Sequence, residues 1–361
     1  MKWAFRLFVV IVSTFLCLGT FELILRANPK LITRTPRSIN LTTNTIFDCY
    51  QLDPFVIYRT IPNNPSCDPI DSSGFRLDPS SPFDYEKTIV VLGDSFVFGA
   101  FVGGDETYPY YFEQMLRNAE QNVRVINAGI PGYGTDQEYL YFQKYVLPVV
   151  KPDLVLWNIH ENDWEDNESA CLISVHNGRL VYHSARHNTM YLLVRLNMLT
   201  PSGIRALSLY KFLYSIIPER YTIGCSPLRG TSTASISEKM AVIFQDMAFL
   251  AQKNNFQVRY VFVQNQIGYA EDRDKPADYD QQIEKKISLL KKMSLNPLVI
   301  QSEIVKYLSA KDKAQVLGIT TDNLTDDLFV DDEEPDPWGY RHMNATGNFL
   351  YAKAVYEKLS Q

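Results

Sequence analysis

The sequence lacks the features that mark several common protein classes. It has no stripe of clustered lysine and arginine, and its formal net charge is −6, which argues against nucleic acid as a partner because phosphate binding needs clustered positive charge. No two cysteines have the C-x-x-C spacing of a zinc site. Internal repeats and low-complexity tracts are also absent. With 46% hydrophobic and 21% charged residues over 361 positions, the chain is expected to fold around a large core.

Cysteine is scarce but informative. Outside the N-terminal apolar run the sequence has Cys49, Cys67, Cys171 and Cys225. An even number suits an oxidising compartment, and Cys49–Cys67 with Cys171–Cys225 is the simplest of the three possible pairings. The alternative is four buried free thiols in a reducing compartment.

Residues 7–25 form a long apolar run whose single charged residue is Glu22. At 1.5 Å per residue the run is long enough to cross a bilayer. We therefore predict a retained anchor over 1–26, with the rest of the chain in the periplasm or outside the cell. A cleaved signal peptide, which would make the protein secreted, and a buried N-terminal helix are the alternatives. Basic residues flank the run on both sides, so the positive-inside rule does not decide its orientation.

The remainder divides into an irregular lead-in at 27–85, rich in Pro, Asn, Asp and Ser, and an α/β region at 86–361. The predicted strands are 88–93, 123–128, 153–158, 257–263 and 297–300. The predicted helices are 107–120, 136–149, 235–254, 278–294 and 344–359. Strands that alternate with helices predict a parallel sheet with helices on both faces, a three-layer α/β architecture.

Residues 165–234 interrupt this alternation. A hairpin is predicted around Asn177-Gly178, a favoured two-residue turn, and a helix follows at 202–217. We interpret the segment as an insertion over the carboxyl edge of the sheet, in a position suited to a lid.

The first strand ends in Gly93-Asp94-Ser95 after a β-branched apolar run. A buried parallel strand delivers the residues after it to the carboxyl edge of the sheet, where α/β proteins place their chemistry. Ser95 is therefore a candidate nucleophile. An ordinary loop start is the alternative interpretation of the same string.

A serine nucleophile needs a base, an orienting acid and donors for the oxyanion. Gly129 ends the second strand and can offer its backbone N–H, and Asn162 follows the third strand and can offer its side-chain amide. His342 precedes the last helix, which Asn344 is expected to cap, and is the candidate general base. A glycine turn, an Asn-Asp helix cap and a structural histidine are the simpler interpretations of these residues.

Together these motifs resemble the four blocks of the SGNH/GDSL hydrolase superfamily, in the same order, particularly its bacterial secreted or membrane-anchored members. The blocks are matched by 93–96, 127–129, 162–163 and 342–347, and the resemblance spans 88–164 and 340–359. It implies the flavodoxin-like parallel sheet of the SGNH hydrolase fold. It also implies that Ser95 attacks an ester carbonyl, that His342 accepts its proton, and that Ser95, Gly129 and Asn162 form the oxyanion hole. No cofactor is implied.

The chain departs from the family pattern at two positions. The family places an aspartate three residues before the histidine, where this chain has Gly339, so we assign the acid to Asp336, with Asp332 as the alternative. The family usually has glycine two residues before the asparagine, where this chain has His160. A bulkier side chain there can narrow the pocket or add a polar contact.

Two groups of potential metal ligands are interpreted as structural. His183 and His187 are four residues apart with His176 nearby, but a predicted hairpin does not bring them to one helix face. The acidic stretch 326–336 does not have EF-hand spacing and is expected to be a solvated loop. We predict no metal site.

The leading functional hypothesis is a serine esterase or lipase-like hydrolase acting on an O-acyl ester of a lipid or an acylated glycan. The first alternative is an O-acyltransferase that modifies an exported glycan. The second is a non-catalytic glycan-binding or scaffold protein of the same fold.

Overall fold

The computed structural model describes residues 2–28, 31–32, 49–64, 70–76, 85–205, 207–215, 236–263, 279–293, 298–299 and 342–360. Its strands are β1 (Tyr50–Asp53), β2 (Ile57–Thr60), β3 (Lys87–Gly93), β4 (Val123–Gly129), β5 (Leu154–His160), β6 (Ile173–His176), β7 (Arg179–Tyr182), β8 (Gln257–Val263) and β9 (Leu298–Val299). Its α-helices are α1 (Lys2–Ala27), α2 (Ser95–Phe98), α3 (Tyr108–Asn118), α4 (Thr135–Tyr141), α5 (Asp163–Ala170), α6 (Thr189–Leu199), α7 (Ser202–Arg205), α8 (Ser208–Ser215), α9 (Ile236–Asn254), α10 (Tyr279–Lys292) and α11 (Ala345–Leu359).

The central sheet has the strand order β4-β3-β5-β8-β9, and every pairing in it is parallel. Numbered by chain order within the sheet, this is 2-1-3-4-5, the flavodoxin-like arrangement. The predicted parallel α/β sheet is therefore confirmed. The strand predicted at 153–158 runs on to His160, and the helix predicted at 136–149 is α4 followed by a π-helical turn at Phe142–Val146.

Strand β3 is buried on both of its faces, which explains its continuous apolar sequence. Val90 and Leu92 belong to a large core that includes residues of α4, α9 and α10. Ile89 and Val91 belong to a second core formed with α3 and α11. Helices thus cover both faces of the sheet and complete the three predicted layers.

The lead-in contains an antiparallel hairpin, β1–β2, that the sequence did not reveal. Val56, Ile57 and Tyr58 are buried in the large core, so the hairpin is an integral part of the packing. A polar, proline-rich composition hid these short strands.

The insertion begins with the predicted hairpin, β6–β7. Asn177 and Gly178 have φ angles of 51° and 70°, the positive values that a two-residue turn of this kind requires. The helix predicted at 202–217 is divided into α7 and α8, and α6 precedes them as an additional helix. Ala185 donates its N–H to the carbonyl of Pro54 at 2.9 Å, which fixes the insertion to the lead-in hairpin.

Cys49 and Cys171 are both disulfide-bonded, whereas Cys17 is a free, exposed thiol in α1. The two other cysteines of the predicted pairing, Cys67 and Cys225, lie outside the described residues. The free-thiol alternative is therefore wrong for Cys49 and Cys171.

The N-terminal run forms α1, and within it Phe5–Ala27 is long and apolar enough to cross a membrane. The apolar side chains along most of this helix are exposed. The alternative of a buried N-terminal helix is therefore wrong over most of its length. Leu25, near the end of the helix, is fully buried.

One buried polar contact attaches the last helix to the sheet. The hydroxyl of Tyr351 in α11 donates to the Oδ1 of Asn158 in β5 at 2.6 Å. The amide of Asn158 in turn donates to the carbonyls of Leu92 and Leu156 at 3.2 and 3.1 Å. This contact fixes the helix whose first turn follows His342.

We expect Tyr351→Phe to lower the free energy of unfolding by about 1–3 kcal/mol, because a buried amide oxygen loses its donor. Urea denaturation of the full chain in detergent measures the change. Tyr85→Phe, which removes a hydroxyl near the surface, is the control and should change stability by less than about 0.5 kcal/mol. Equal effects of the two substitutions would show that the Tyr351 contact has no special role.

Candidate active site

Ser95 lies in a one-turn helix at the carboxyl end of β3. Asp94 caps this turn by accepting the N–H of Phe96 at 3.0 Å, and the turn ends at Gly99 with a φ of 72°. Ser95 itself is half-buried, whereas Phe96, Val97 and Phe98 are buried. The turn therefore exposes its serine while its apolar side chains hold it in place.

Gly129 lies against this turn. An added Cβ at Gly129 would be 2.3 Å from the backbone nitrogen of Phe98 and 2.9 Å from the carbonyl oxygen of Asp94. Gly93 pairs with Gly129 across β3 and β4. From the sequence, this glycine is expected to give a ligand access to its N–H. The structure also shows a steric need, since no side chain fits between β4 and the Ser95 turn.

His342 reaches the same point from the C-terminal end of the chain. Its Nε2 lies 2.9 Å from the Oγ of Ser95. The ring of Phe96 stacks on the imidazole at 5.2 Å, and the ring of Phe101 contacts it at the same centroid distance. These two aromatic residues, which the motif search did not single out, restrict the orientation of the imidazole.

Two asparagines hold the backbone that follows His342. Asn344 caps α11 by accepting the N–H of Gly347 at 3.0 Å, as the sequence predicted. The amide of Asn348 donates to the carbonyls of Met343 and Asn344, both at 3.0 Å. The short segment between the histidine and the helix is thereby fixed.

Asn162 precedes α5 but does not cap it with its side chain. Its Oδ1 contacts the Nδ1 of His160, and its Nδ2 donates to Asp166 at 2.8 Å. The imidazole of His160 stacks on Phe96 at a centroid distance of 4.0 Å. The Nδ1 of His160 also lies 3.4 Å from the backbone nitrogen of Asn162. His160 therefore contacts both the main chain and the side chain of Asn162 and restricts the orientation of its amide.

The third predicted oxyanion donor already has an acceptor. The N–H of Gly129 donates to the Oδ1 of Asn127 at 3.1 Å, and the amide of Asn127 donates to the carbonyl of Val97 at 2.8 Å. Asn127 thus joins the end of β4 to the Ser95 turn. The structure brings Ser95 and His342 into contact and puts Gly129 against the same turn.

The acid behind His342 lies outside the described residues. This applies to Asp336, to the alternative Asp332, to Gly339 and to the acidic stretch 326–336. Their assignment stays a prediction.

Close to Asp94, the residue before Ser95, lie buried carboxyl groups that no sequence motif indicated. Glu138 accepts the indole N–H of Trp157 at 2.6 Å, and Asp163 accepts the hydroxyl of Thr135 at 3.0 Å. Burial raises the pKa of both carboxyl groups well above their usual range, and neighbouring Asp94 and other carboxylates raise each pKa further. Four consecutive polar residues, 135–138, are all buried at the start of α4, although polar side chains in a sequence ordinarily indicate exposure.

Lys239 supplies a cation beside this group. Its Nζ donates to the carbonyl of Asn167 at 3.0 Å and lies 3.4 Å from the Oδ2 of Asp136. Burial raises the pKa of Asp136, and the positive charge of Lys239 opposes that increase. The contact joins α4, α5 and α9 under the carboxyl edge of the sheet.

His183 lies just after β7 and its Nε2 contacts the hydroxyl of Ser174 across the hairpin at 2.8 Å. Among the residues that the structure describes, no group of three or more His, Cys, Asp or Glu side chains could hold a metal ion.

At the sequence level, no protein family and no curated protein matches the chain. Among solved structures it is similar to an acetyl xylan esterase, with 16% identity, 75% of this chain and 99% of that chain covered, and a TM-score of 0.40. An acetylxylan esterase from Geobacillus stearothermophilus has 12% identity, coverage of 77% and 95%, and a TM-score of 0.38. A protein from Desulfitobacterium hafniense classed with the lipolytic G-D-S-L family has 13% identity, coverage of 75% and 99%, and a TM-score of 0.38. These similarities are too distant to assign a family or a substrate.

We expect the free energy of unfolding of Glu138→Gln, relative to that of the parent protein, to increase as the pH rises. In the unfolded chain Glu138 loses its proton near its ordinary pKa of 4.5, but the folded protein retains the proton to higher pH. Between these two values unfolding releases a proton, so the free energy of unfolding falls as the pH rises, by at most about 1.4 kcal/mol per pH unit. Glutamine removes this contribution and can still accept the N–H of Trp157.

Urea denaturation of both proteins from pH 5 to pH 8 measures the difference. The exposed Glu86→Gln is the control and should parallel the parent at every pH. A constant difference between Glu138→Gln and the parent would contradict the raised pKa.

Proposed function

We propose that the protein is a serine esterase of the SGNH/GDSL type that hydrolyses an O-acyl ester, with Ser95 as nucleophile and His342 as general base. The observation that carries the proposal is the 2.9 Å contact between Ser95 Oγ and His342 Nε2. A nucleophile and base within hydrogen-bond distance are the minimal unit of this chemistry. The four sequence blocks around these residues support the same conclusion.

The reaction begins when Ser95 Oγ attacks the ester carbonyl and His342 Nε2 accepts the hydroxyl proton. His342 then returns this proton to the departing alcohol oxygen as the carbon–oxygen bond of the ester breaks. The acyl group remains on Ser95. A water molecule, deprotonated by His342, attacks the acyl-enzyme, and the acid is released as the proton returns to Ser95.

The oxyanion formed in each half of the reaction needs donors. One N–H of the Asn162 amide is engaged with Asp166, and its second N–H is the donor we assign to the oxyanion. His160 supports this role because its contact with Oδ1 holds the amide in one orientation. The backbone N–H of Ser95 is the second donor, and the N–H of Gly129 would contribute by exchanging its Asn127 acceptor for the oxyanion.

This mechanism requires that Nε2 of His342 be unprotonated in the resting enzyme. The proton must then lie on Nδ1, and a carboxylate at that nitrogen stabilises the tautomer. We assign this role to Asp336, with Asp332 as the alternative.

The substrate is an acyl ester that the enzyme meets outside the cytoplasm. The proposal of a membrane-anchored enzyme rests on the apolar α1 and on the disulfide bonds of Cys49 and Cys171, which persist in oxidising compartments. Periplasmic and extracellular locations are both consistent with these features.

We expect Ser95→Ala to abolish labelling by a fluorophosphonate probe and to lower kcat for a short-chain aryl ester by at least about 10³-fold. The matched control is Ser72→Ala, which removes an exposed hydroxyl that lies outside the four sequence blocks. Labelling of Ser95→Ala at the rate of the parent would refute the assignment. Release of free acid without any glycan acceptor identifies hydrolysis, whereas a strict need for an acceptor identifies acyl transfer.

We expect Asp336→Asn to lower kcat by about 10³–10⁴-fold, because an uncharged amide no longer holds the imidazole in the required tautomer. Asp332→Asn is the paired variant and should retain activity near that of the parent. Both proteins are assayed over the same pH range. The reverse result would transfer the role to Asp332, and full activity of both variants would refute the assignment of the acid to either residue.

A further inference from the structure

The end of α1 is packed against the insertion. The carboxylate of Glu22 accepts the backbone N–H groups of Ser208 and Leu209, at 3.0 and 2.7 Å, and so occupies the N-terminus of α8. The rings of Phe21 and Phe212 meet edge to face at 5.4 Å. The single charge in the apolar run therefore has a structural role in joining α1 to the folded domain. A leader removed after export would not need these contacts.

The insertion exposes apolar side chains beside this junction. On α6, Leu192, Leu196 and Leu199 recur at helical spacing along one side and are 51–71% exposed, while the opposite side packs into the core through Met190 and Val194. Ile204 in α7 and Leu213 in α8 are further exposed apolar residues of the same segment, at 48% and 51%. We call these five exposed residues the leucine face. A helix that is apolar on both sides needs a second apolar environment.

The charge of the same segment has one sign. Residues 184–215 contain four basic side chains (Arg186, Arg195, Arg205 and Lys211) and no acidic one, in a chain whose net charge is −6. Arg186 and Arg195 are exposed. Leucines bordered by arginines and lysines are the composition of interfacial helices, which insert apolar residues at the acyl boundary and bind anionic head groups.

We propose that residues 186–205 and 207–215 lie on the surface of a bilayer crossed by α1, with the leucine face in the acyl region and the exposed Arg186 and Arg195 at anionic lipid head groups. The occupant is identified by continuity. The helix α8, which carries Leu213, packs against the end of α1 and contacts α6 through Tyr210 and Asn197. The apolar part of α1 is about 34 Å long at 1.5 Å per residue. The folded domain is then held against the membrane by two contacts. This inference rests on the proposed membrane anchoring by α1 and does not depend on the esterase assignment.

The test uses the full chain with Cys17→Ser, so that a single introduced cysteine carries an environment-sensitive NBD fluorophore. Leu196→Cys reports on the leucine face, and Val149→Cys, which is exposed outside the insertion, is the matched control. Both are reconstituted into vesicles of phosphatidylcholine with phosphatidylglycerol. Equal melting temperatures of the labelled and parent proteins establish that both variants are folded.

We expect the label at 196, but not that at 149, to emit at shorter wavelength and to be quenched by nitroxide-labelled acyl chains. Arg186→Gln and Arg195→Gln should each shift the equilibrium between the membrane-bound and the unbound state of this segment about five-fold toward the unbound state. An aqueous spectrum at 196 would overturn the proposal. A shielded label without lipid quenching would overturn it in favour of a second copy or another protein. Isolation of membrane-derived protein without residues 1–26, judged by intact mass, would overturn it as well.

Discussion

The candidate site depends on a backbone contact that leaves no space for a side chain. At the carboxyl edge of the sheet, Gly129 lies so close to the turn after β3 that an added Cβ would be 2.3 Å from the nitrogen of Phe98. Asn127 reinforces this contact by donating to the carbonyl of Val97. The Ser95 turn therefore cannot move without the sheet. Such rigidity suits a nucleophile, because an error of about 1 Å in position can cost about 10²-fold in rate.

His342, the candidate base, contacts Ser95 although the two residues are 247 positions apart in the chain. Tyr351 attaches α11 to β5, Asn344 caps the helix, and Phe96 and Phe101 confine the imidazole of His342. At the other end of the chain, Glu22 fixes α1 to the insertion. Both attachments are hydrogen bonds between segments far apart in the chain, one inside the core at Asn158 and one at the N-terminus of α8. Each holds its helix in place because leaving the polar group without a partner would cost free energy.

The parallel sheet was readable from the sequence because β3 is a nearly continuous apolar strand, β4 and β8 are short segments rich in β-branched or aromatic residues, and helical patterns separate them. The β1–β2 hairpin could not be predicted because its strands are only four residues long. The helix α6 could not be predicted because apolar residues occur on both its buried and its exposed side. Burial of Glu138 and Asp163 was also hidden, because a carboxylate in a sequence signals exposure unless its partners, here Trp157 and Thr135, are known. His160 was noticed only as a departure from a motif, whereas its role depends on contacts with Asn162 and Phe96.

The sequence by itself determined the order of the strands along the chain, the apolar N-terminal helix and the identity of Ser95 and His342 as a candidate pair. These features follow from local periodicity and from the residue types at the ends of strands and helices. Both depend only on residues that are close together in the chain. Only the tertiary structure decided that the two side chains meet at 2.9 Å, that Gly129 is required by packing, and that α1 is joined to the insertion. Those features depend on distances between segments far apart in the chain, and such distances are set when the whole core packs.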